Sequence, residues 1–307
     1  MLKLLIGRTT AAKKHVLLFY QLIFTIKTNV RLNIITIYLK LNTPWRVMVM
    51  SQTSSAVNSN EAPKPSKVVV IFPAKNEAAT IKPCIETVKQ SKYKPMIIVA
   101  DGYSTDKTRD IASESGAEVI LSSKRLHPGK GAAMKSGLQA AFAKEPDVIV
   151  FLDADLKNLT TERLDKLIDP VIDGRYDMAR ASYLRAPRDA GVTKLVAKPL
   201  LYVFFPEIGH FDQPLTGEVA AKTDVWRALL EDAPPDGWGI DVWFLIETAM
   251  RGYRIIEVFL GTKDHASFSS YADDLSKLSK MGEQVAIAII REAIKYERID
   301  NVKATSP

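Results

Sequence analysis

Val148-Ile149-Val150-Phe151-Leu152-Asp153-Ala154-Asp155 is an apolar run that ends in two carboxylates. Five consecutive apolar residues, mostly β-branched, are typical of a central parallel strand that is covered on both faces. A charge would not be tolerated inside such a strand, so Asp153 and Asp155 are expected just beyond the sheet, where open α/β sheets bind ligands. Because side chains two residues apart on an extended chain point the same way, the pair can share one divalent cation. A strand end followed by a helix cap would account for the two acids equally well.

Short apolar runs alternate with helical patterns on both sides of this stretch. Further strands are predicted at 68–72, 95–100, 118–121, 178–184 and 253–260, and helices at 78–91, 105–115, 132–144, 161–174, 239–251 and 270–296. The predicted fold class is therefore α/β, with a mostly parallel central sheet and helices on both faces. The alternation weakens after residue 184, where a charged segment containing proline and glycine predicts a binding loop at 185–193.

Gly129-Lys130-Gly131 opens one of the predicted helices, directly before the strand that ends in the two acids. Glycines let backbone amides approach a phosphate, the lysine adds a positive charge, and the helix directs its positive end to the same place. An isolated tripeptide of this kind is more often a simple helix-start turn, and the spacing of a Walker loop is missing. Its position beside the two acids favours the phosphate interpretation.

The charge of the chain is unevenly distributed. Residues 1–50 hold eight basic residues and no acidic one, so the remainder carries a net charge of −1 although the whole chain carries +7. A nucleic-acid partner is therefore not expected for the folded part. The apolar segment at 16–26 is shorter than the ~20 residues that a spanning helix needs, so no integral membrane segment is predicted. Residues 1–66 are interpreted as a basic extension that is disordered or translated from an upstream start, and the single cysteine, Cys84, favours a cytoplasmic setting.

Several motifs, taken in order, resemble a family 2-type glycosyltransferase of the GT-A fold. The motifs are Pro73-Ala74-Lys75-Asn76-Glu77, Asp101-Gly102-Tyr103-Ser104-Thr105-Asp106, Gly129-Lys130-Gly131 and Asp153-Ala154-Asp155. Later segments at 192–201, 213–218 and 239–241 are similar to the retaining glucosyl-3-phosphoglycerate synthases. The resemblance implies one glycosyltransferase domain at 67–300, with a nucleotide-sugar half at 67–156 and an acceptor half at 157–300. It also implies transfer of a hexose, expected to be glucose from UDP-glucose, to 3-phosphoglycerate or a related small hydroxy acid.

The resemblance also implies roles for individual residues and a divalent cation, Mg²⁺ or Mn²⁺, that would neutralise the leaving diphosphate. Donor contacts are implied at Pro73, Ala74, Glu77, Gly102, Lys130, Asp153, Leu215, Thr216 and Gly217. Metal ligation is implied for Asp155, His265 and Asp153, and catalytic roles for Asp241 and Asp155. Outside the family pattern, His265 would be interpreted as a surface histidine and Asp241 as an ordinary helix-start acid.

The sequence departs from the family pattern where the acceptor is expected. Gly191 stands where the family has an arginine before the Val-Thr pair, and Ser267 stands where it has an asparagine. An acceptor phosphate would lose a charge-assisted contact worth ~1.5 to 3 kcal/mol. Arg185 and Lys194 lie in the same segment and are the predicted replacements, Arg188 is a further candidate, and Thr193 is retained. Alternatively, the acceptor carries no phosphate.

Three rival functions remain open at this stage. A polyprenyl phosphate or other lipid acceptor is suggested by the basic apolar amino terminus and the aromatic run at 201–205. A sugar-1-phosphate nucleotidyltransferase is disfavoured, since its glycine-rich loop should follow the first strand, where Pro73-Ala74-Lys75-Asn76-Glu77 stands instead. An inactive sugar-nucleotide binder is the third. The apolar carboxyl-terminal half also makes a homodimer an expectation.

Overall fold

Residues 67–123, 129–185, 189–266 and 275–299 are described by the computed structural model, and within them seven strands form one sheet. The strands are β1 (Val68–Ala74), β2 (Met96–Asp101), β3 (Glu118–Leu121), β4 (Val148–Phe151), β5 (Met178–Leu184), β6 (Val219–Lys222) and β7 (Ile255–Thr262). Their order across the sheet is β3-β2-β1-β4-β6-β5-β7. Neighbours run parallel except β6, which is antiparallel to both β4 and β5. The predicted mostly parallel sheet is therefore confirmed, with one reversed strand that the sequence did not indicate.

Helices cover both faces of this sheet. They are α1 (Ile81–Lys89), α2 (Thr108–Glu114), α3 (Lys130–Phe142), α4 (Thr161–Ile172), α5 (Lys198–Phe204), α6 (Thr223–Leu230), α7 (Ile240–Met250) and α8 (Leu275–Lys295), with a π-helical turn at Thr193–Ala197. Alternate residues of β1 serve the two faces: Val70 packs with α1, α2 and α4, whereas Ile71 packs with α3, α6 and α7. The predicted two-sided α/β class is confirmed.

A third apolar cluster joins the carboxyl-terminal helices to one another. The outer side of α7, at Leu245 and Ile246, packs against Val285 and Ile289 of α8 and against Leu201 of α5. The helix α7 is therefore apolar around nearly its whole circumference, as expected for a helix buried between two layers. Because it is held from both sides, its amino-terminal end is a rigid place for a functional side chain.

Two local differences from the sequence predictions have clear causes. The segment at 193–204, for which no helix was predicted, forms the π-helical turn and then α5, with Pro199 in the first turn of α5, where proline is tolerated. Helix α6 was not predicted; it follows directly on β6, with no turn residue in the sequence to mark its start. The predicted helix start at 270–274 and the interpretation of residues 1–66 fall outside the described ranges.

No helix among the described residues is both long and apolar enough to cross a membrane.

Candidate active site at the carboxyl end of the sheet

Three of the predicted donor residues lie where β1 and β2 end side by side. Pro73 and Ala74 pair with Ala100 and Asp101 across the two strands, and the Gly102 amide donates to the Ala74 carbonyl at 2.8 Å. A Cβ atom at Gly102 would lie 3.4 Å from that carbonyl oxygen. The structure therefore brings Pro73, Ala74 and Gly102 together and leaves their backbone at the sheet edge.

The loops that follow these strands are joined by side chains. Asn76 and Tyr103 both have a left-handed backbone, with φ of 59° and 62°. The Asn76 side-chain oxygen accepts from the Thr105 amide at 2.8 Å, and the Asn76 amide donates to the Ser104 hydroxyl at 2.9 Å. Asparagine tolerates this backbone region better than most residues. The two loops thus form one fixed surface beside the strand ends.

Glu77 belongs to the same surface and is half-buried. Its amide donates to the Thr108 hydroxyl at 2.8 Å, and its carboxylate accepts from the Thr80 hydroxyl at 3.1 Å. Burial, followed by repulsion from the Asp155 carboxylate, raises the pKa of Glu77 to about 7. Glu77 and Asp155 are therefore close enough to affect each other, and added positive charge between them would favour both in the ionised form.

Lys130 joins two of the predicted acids. Its ammonium, at the start of α3, lies 3.1 Å from Asp153 Oδ1 and 2.9 Å from Asp241 Oδ2. Asp153 follows β4, and Asp241 is a buried residue in the first turn of α7, so three separate elements meet here. Burial raises the pKa of Asp241, and Lys130 opposes that rise. The predicted donor and catalytic residues therefore form one connected cluster.

Lys263, immediately after β7, completes this cluster and was not predicted. Its ammonium lies 2.9 Å from Asp153 Oδ2 and 2.7 Å from Glu218 Oε1. Glu218 accepts a further hydrogen bond of 2.8 Å from the Thr216 hydroxyl. Although burial alone would raise it, Lys130 and Lys263 hold the pKa of Asp153 well below its ordinary value. A lysine two residues before a candidate metal-binding histidine was the only sequence signal for Lys263.

The loop with Leu215, Thr216 and Gly217 lies directly against this cluster. A Cβ atom at Gly217 would lie 2.6 Å from the Asp153 carboxyl carbon and 2.7 Å from the Lys130 ammonium. No side chain can be placed there without moving the ion pair, so glycine is required by the close approach. Leu215 turns the other way and packs against the third apolar cluster. The structure therefore brings the loop backbone, rather than its side chains, to Asp153 and Lys130.

Asp155 and His265 form a second cluster beside the first. His265 Nδ1 lies 3.5 Å from Asp155 Oδ2, the Ala266 amide donates to the Asp155 carbonyl at 3.0 Å, and His265 forms an antiparallel bridge with Leu156. Burial disfavours protonation of the imidazole, but hydrogen bonds to Asp155 and Asp189 outweigh it and raise the pKa of His265 to about 9. The backbone thus fixes this pair across 110 residues of sequence.

The Asp155–His265 pair meets part of what a divalent cation requires. Among the described residues, no group of three or more His, Cys, Asp or Glu side chains has the arrangement of a complete metal site, and both oxygens of Asp153 are occupied by lysines. Asp155 with His265 supplies two ligand side chains. Mg²⁺ commonly takes one or two carboxylates from a protein and the rest from substrate phosphates and water, so the pair fits a cation that arrives with a diphosphate.

The predicted acceptor residues are only partly brought together. Arg185 Nη2 lies 3.3 Å from His265 Nε2, and Arg185 Nε donates to Asp189 at 2.5 Å. Asp189, which was not predicted, also lies 3.3 Å from His265 Nε2. Thr193 is buried and Lys194 exposed on the π-helical turn that follows. Arg185 therefore touches the candidate metal pair, Thr193 and Lys194 lie on the adjoining turn, and Arg188 and Ser267 fall outside the described residues.

Comparison with known proteins agrees with this geometry. The model of the family described as "Glycosyl transferase family 2" matches residues 69–222. The glucosyl-3-phosphoglycerate synthase of Mycobacterium tuberculosis (strain ATCC 25618 / H37Rv) is 32% identical over 276 residues, which cover 82% of this chain and 80% of the relative.

Solved structures of the Mycobacterium tuberculosis synthase are also similar to this chain. One, in complex with Mn²⁺, UDP-glucose and phosphoglyceric acid, superposes with a TM-score of 0.64 at 31% identity, covering 74% of this chain and 80% of that one. Another, in complex with Mg²⁺ and UDP, gives a TM-score of 0.63 at 32% identity, covering 74% and 79%. The sheet and its covering helices are those of the GT-A fold. The chain therefore belongs to the family 2 glycosyltransferases.

Proposed function

We propose that this glycosyltransferase moves glucose from UDP-glucose, in the presence of Mg²⁺ or Mn²⁺, to 3-phosphoglycerate or a related small hydroxy acid with retention of configuration. The observation that carries the proposal is the junction of Lys130, Asp153 and Asp241 beside the Asp155–His265 pair. This junction combines a helix start, a buried acid and a cation-binding pair at the carboxyl end of the sheet. Support for the donor and acceptor comes from the ligands of the similar synthase.

Within this proposal, the nucleotide and its diphosphate are bound by the first half of the chain. Pro73, Ala74, Glu77 and Gly102 line the edge where the base and ribose would lie. Lys130 stands at the start of α3, a helix of 13 residues whose amino-terminal end favours anions. Asp155 and His265 would hold the divalent cation with Asp153 close by, and the cation would act as a Lewis acid on the leaving diphosphate.

The sugar would lie between the 215–217 loop and the first turn of α7. Gly217 leaves room beside Asp153 and Lys130, so the backbone of Leu215, Thr216 and Gly217 can approach the transferred hexose. Asp241 faces the same space and is held by Lys130 at 2.9 Å. We assign Asp241 the role of contacting the hexose and stabilising charge as the glycosidic bond breaks.

The acceptor is proposed to bind beside Arg185, Thr193 and Lys194. Arg185 is the charged residue of this set that contacts the candidate metal pair, at 3.3 Å from His265. Its guanidinium is suited to a carboxylate or phosphate group of a small acid. Among the described residues, no atom lies within 4 Å of a Cβ atom placed at Gly191, so they leave space where the family has its arginine. This opening favours, as a second candidate, an acceptor acid without a phosphate.

The experiment is an acceptor comparison with purified protein. UDP-glucose and Mn²⁺ are incubated with 3-phosphoglycerate or glycerate, products are identified by mass spectrometry, and the anomeric configuration is determined by nuclear magnetic resonance. We expect an α-glucoside, loss of activity on chelation, and at least a ~100-fold lower rate for Asp155→Asn, since a single electrostatic contact to the reacting centre commonly contributes that much. Asp173→Asn, an exposed change at the end of α4, is the matched control.

The outcomes separate the alternatives. Glucosylation of 3-phosphoglycerate over glycerate supports the first candidate, and the reverse preference supports the acceptor without a phosphate. Transfer only to a polyprenyl phosphate in detergent would support the lipid alternative. Metal-dependent UDP binding with no transfer to any of these would contradict the proposal and favour an inactive binder.

A further inference from the structure

Arg180, the third residue of β5, is a buried charge that the proposed chemistry does not use. Its side chain has no exposed surface. Nη2 donates to two backbone carbonyls, that of Pro214 at 3.0 Å and that of Asp241 at 3.1 Å. Nε and Nη1 are buried without a hydrogen-bond partner among the described residues. Burial lowers the pKa of Arg180 to about 10, although the nearby acids oppose the shift.

A buried charge without an ion-pair partner lowers the stability of the folded protein. Transfer of an unpaired ion into the protein interior costs several kcal/mol, and an apolar side chain of similar volume is often as stable or more so. In the part of the chain that the structure describes, Arg180 has no carboxylate within the 4.0 Å of an ion pair. What its guanidinium does provide is a link between two segments that are 27 residues apart in sequence, the loop at Pro214 and the start of α7.

Glu257 on the adjacent strand holds the same loop. It is the register partner of Arg180 in the parallel β5–β7 pair. Its two carboxylate oxygens accept from the amides of Asp212 and Gln213 at 2.9 and 2.7 Å. The loop is thus held through its amides by an anion and through its Pro214 carbonyl by a cation. The short segment that carries Thr216 and Gly217 begins directly after these three anchored residues.

We propose that Arg180, together with Glu257, is a positioning residue that sets the distance between the 215–217 loop and Asp241. This distance would determine where the transferred sugar binds. This inference rests on the proposed function. The positioning role concerns the sugar and not the nucleotide. The proposed uridine contacts at Pro73, Ala74 and Gly102 lie on β1 and β2, and none of them bonds to Arg180 in the described structure. Lysine is not an equivalent replacement, because it lacks the planar guanidinium that presents Nη2 to both carbonyls.

The test uses Arg180→Lys and Glu257→Gln in the full chain, with Arg251→Lys as control. Arg251 lies at the far end of the same helix α7, where it contacts Glu247 and the Ala228 carbonyl, so its replacement reports general loosening of α7. With UDP-glucose and Mn²⁺, kcat is expected to fall about 10- to 100-fold in both test variants, as for a displacement of roughly 1 Å at a reacting centre. The Kd for UDP alone is expected to stay within about twofold.

Amide hydrogen exchange supplies a readout that does not depend on activity. The Asp212 and Gln213 amides should exchange faster in Glu257→Gln, and residues 213–217 should exchange faster in Arg180→Lys, while β1 and β2 stay protected. Wild-type kcat in Arg180→Lys, or an equal loss of kcat and of UDP binding in all three variants, would overturn the inference. If the wild-type chain transfers no sugar, the proposed function fails, whereas unchanged exchange at 213–217 in Arg180→Lys refutes the positioning role by itself.

Discussion

Gly217→Ala is the substitution whose effect the structure defines most sharply. The added methyl group would lie 2.6 Å from the Asp153 carboxyl carbon and 2.7 Å from the Lys130 ammonium, whereas ordinary contact begins near 3.4 Å. A shift of close to 1 Å is therefore needed. Asp153 cannot easily supply it, because its second oxygen is held by Lys263 at 2.9 Å. Either the Lys130–Asp153 pair opens or the loop withdraws from the proposed sugar site.

Both responses affect stability and activity in a predictable way. Overpacking at a site of this kind costs about 1 to 3 kcal/mol in the free energy of unfolding. Displacement of a catalytic neighbour by about 1 Å costs up to ~100-fold in rate. We expect Gly217→Ala to lose about 1 to 3 kcal/mol by urea unfolding and to lower kcat/KM for UDP-glucose by about 30- to 100-fold.

Gly282→Ala is the matched control for the same chemical change. Gly282 lies inside α8, and among the described residues a Cβ atom there would meet only Val196, at 3.7 Å, which is ordinary contact. Replacing glycine by alanine inside a helix is expected to stabilise the protein by about 0.5 to 1 kcal/mol. The two variants should therefore change the free energy of unfolding in opposite directions. If Gly217→Ala retains kcat/KM within about threefold and unfolds like the wild type, the close approach inferred for this loop is wrong.

Three further predictions follow from charge and space. Burial and the Glu247 carboxylate raise the pKa of Glu292 from 4.5 to about 8, so the folded state holds a proton that the unfolded chain releases. The free energy of unfolding should therefore fall as the pH rises from about 4.5 to 8. In Glu292→Gln, the free energy of unfolding measured in urea should depend less on pH. Hydrogen bonds raise the pKa of His265 to about 9, and a histidine must lose its proton to bind a metal. The Mn²⁺ affinity measured by calorimetry should therefore increase by up to about tenfold for each unit that the pH is raised towards 9. This dependence should weaken in His265→Asn. Gly191→Arg restores the family arginine at a position where the described residues leave space for it, so KM for 3-phosphoglycerate should fall while KM for glycerate changes little. Equal changes for both acceptors would contradict a phosphate contact at this position.

Much of the fold could be predicted from local pattern. The bounds of β3 and β5 agree with the prediction, because turn or polar residues flank each strand in the sequence. The reversed direction of β6 could not be predicted, since four residues of strand carry no sequence signal for parallel or antiparallel pairing. Its pairing with β4 and β5 is set by packing between segments that lie about 40 to 70 residues away.

Some residues of the candidate site could be predicted from the sequence, and others could not. Asp153 and Asp155 could be found from sequence because a buried strand that ends in two acids places both at the ligand-binding edge of an α/β sheet. Lys263 and Glu218 carry no such mark, as a lysine and a glutamate in polar loops are ordinary surface residues by composition. Their role appears only when the chain brings Lys263 to within 2.9 Å of an acid 110 residues earlier. Arg180 was visible as a charge inside a predicted strand, but its carbonyl partners were not.

The charge balance of the assembled site indicates how its ligands should bind. In the proposed donor cluster, Lys130 and Lys263 pair with Asp153, Glu218 and Asp241, and Arg180 lies nearby as a third, unpaired cation. If all six groups are ionised, their charges cancel. A nucleoside diphosphate alone adds uncompensated negative charge beside Asp155, and a divalent cation alone must displace the proton of His265. The cation neutralises the diphosphate, and the diphosphate supplies the cation with further oxygen ligands, so the affinity for UDP and the affinity for Mn²⁺ should rise by the same factor when the other is present, as linkage requires.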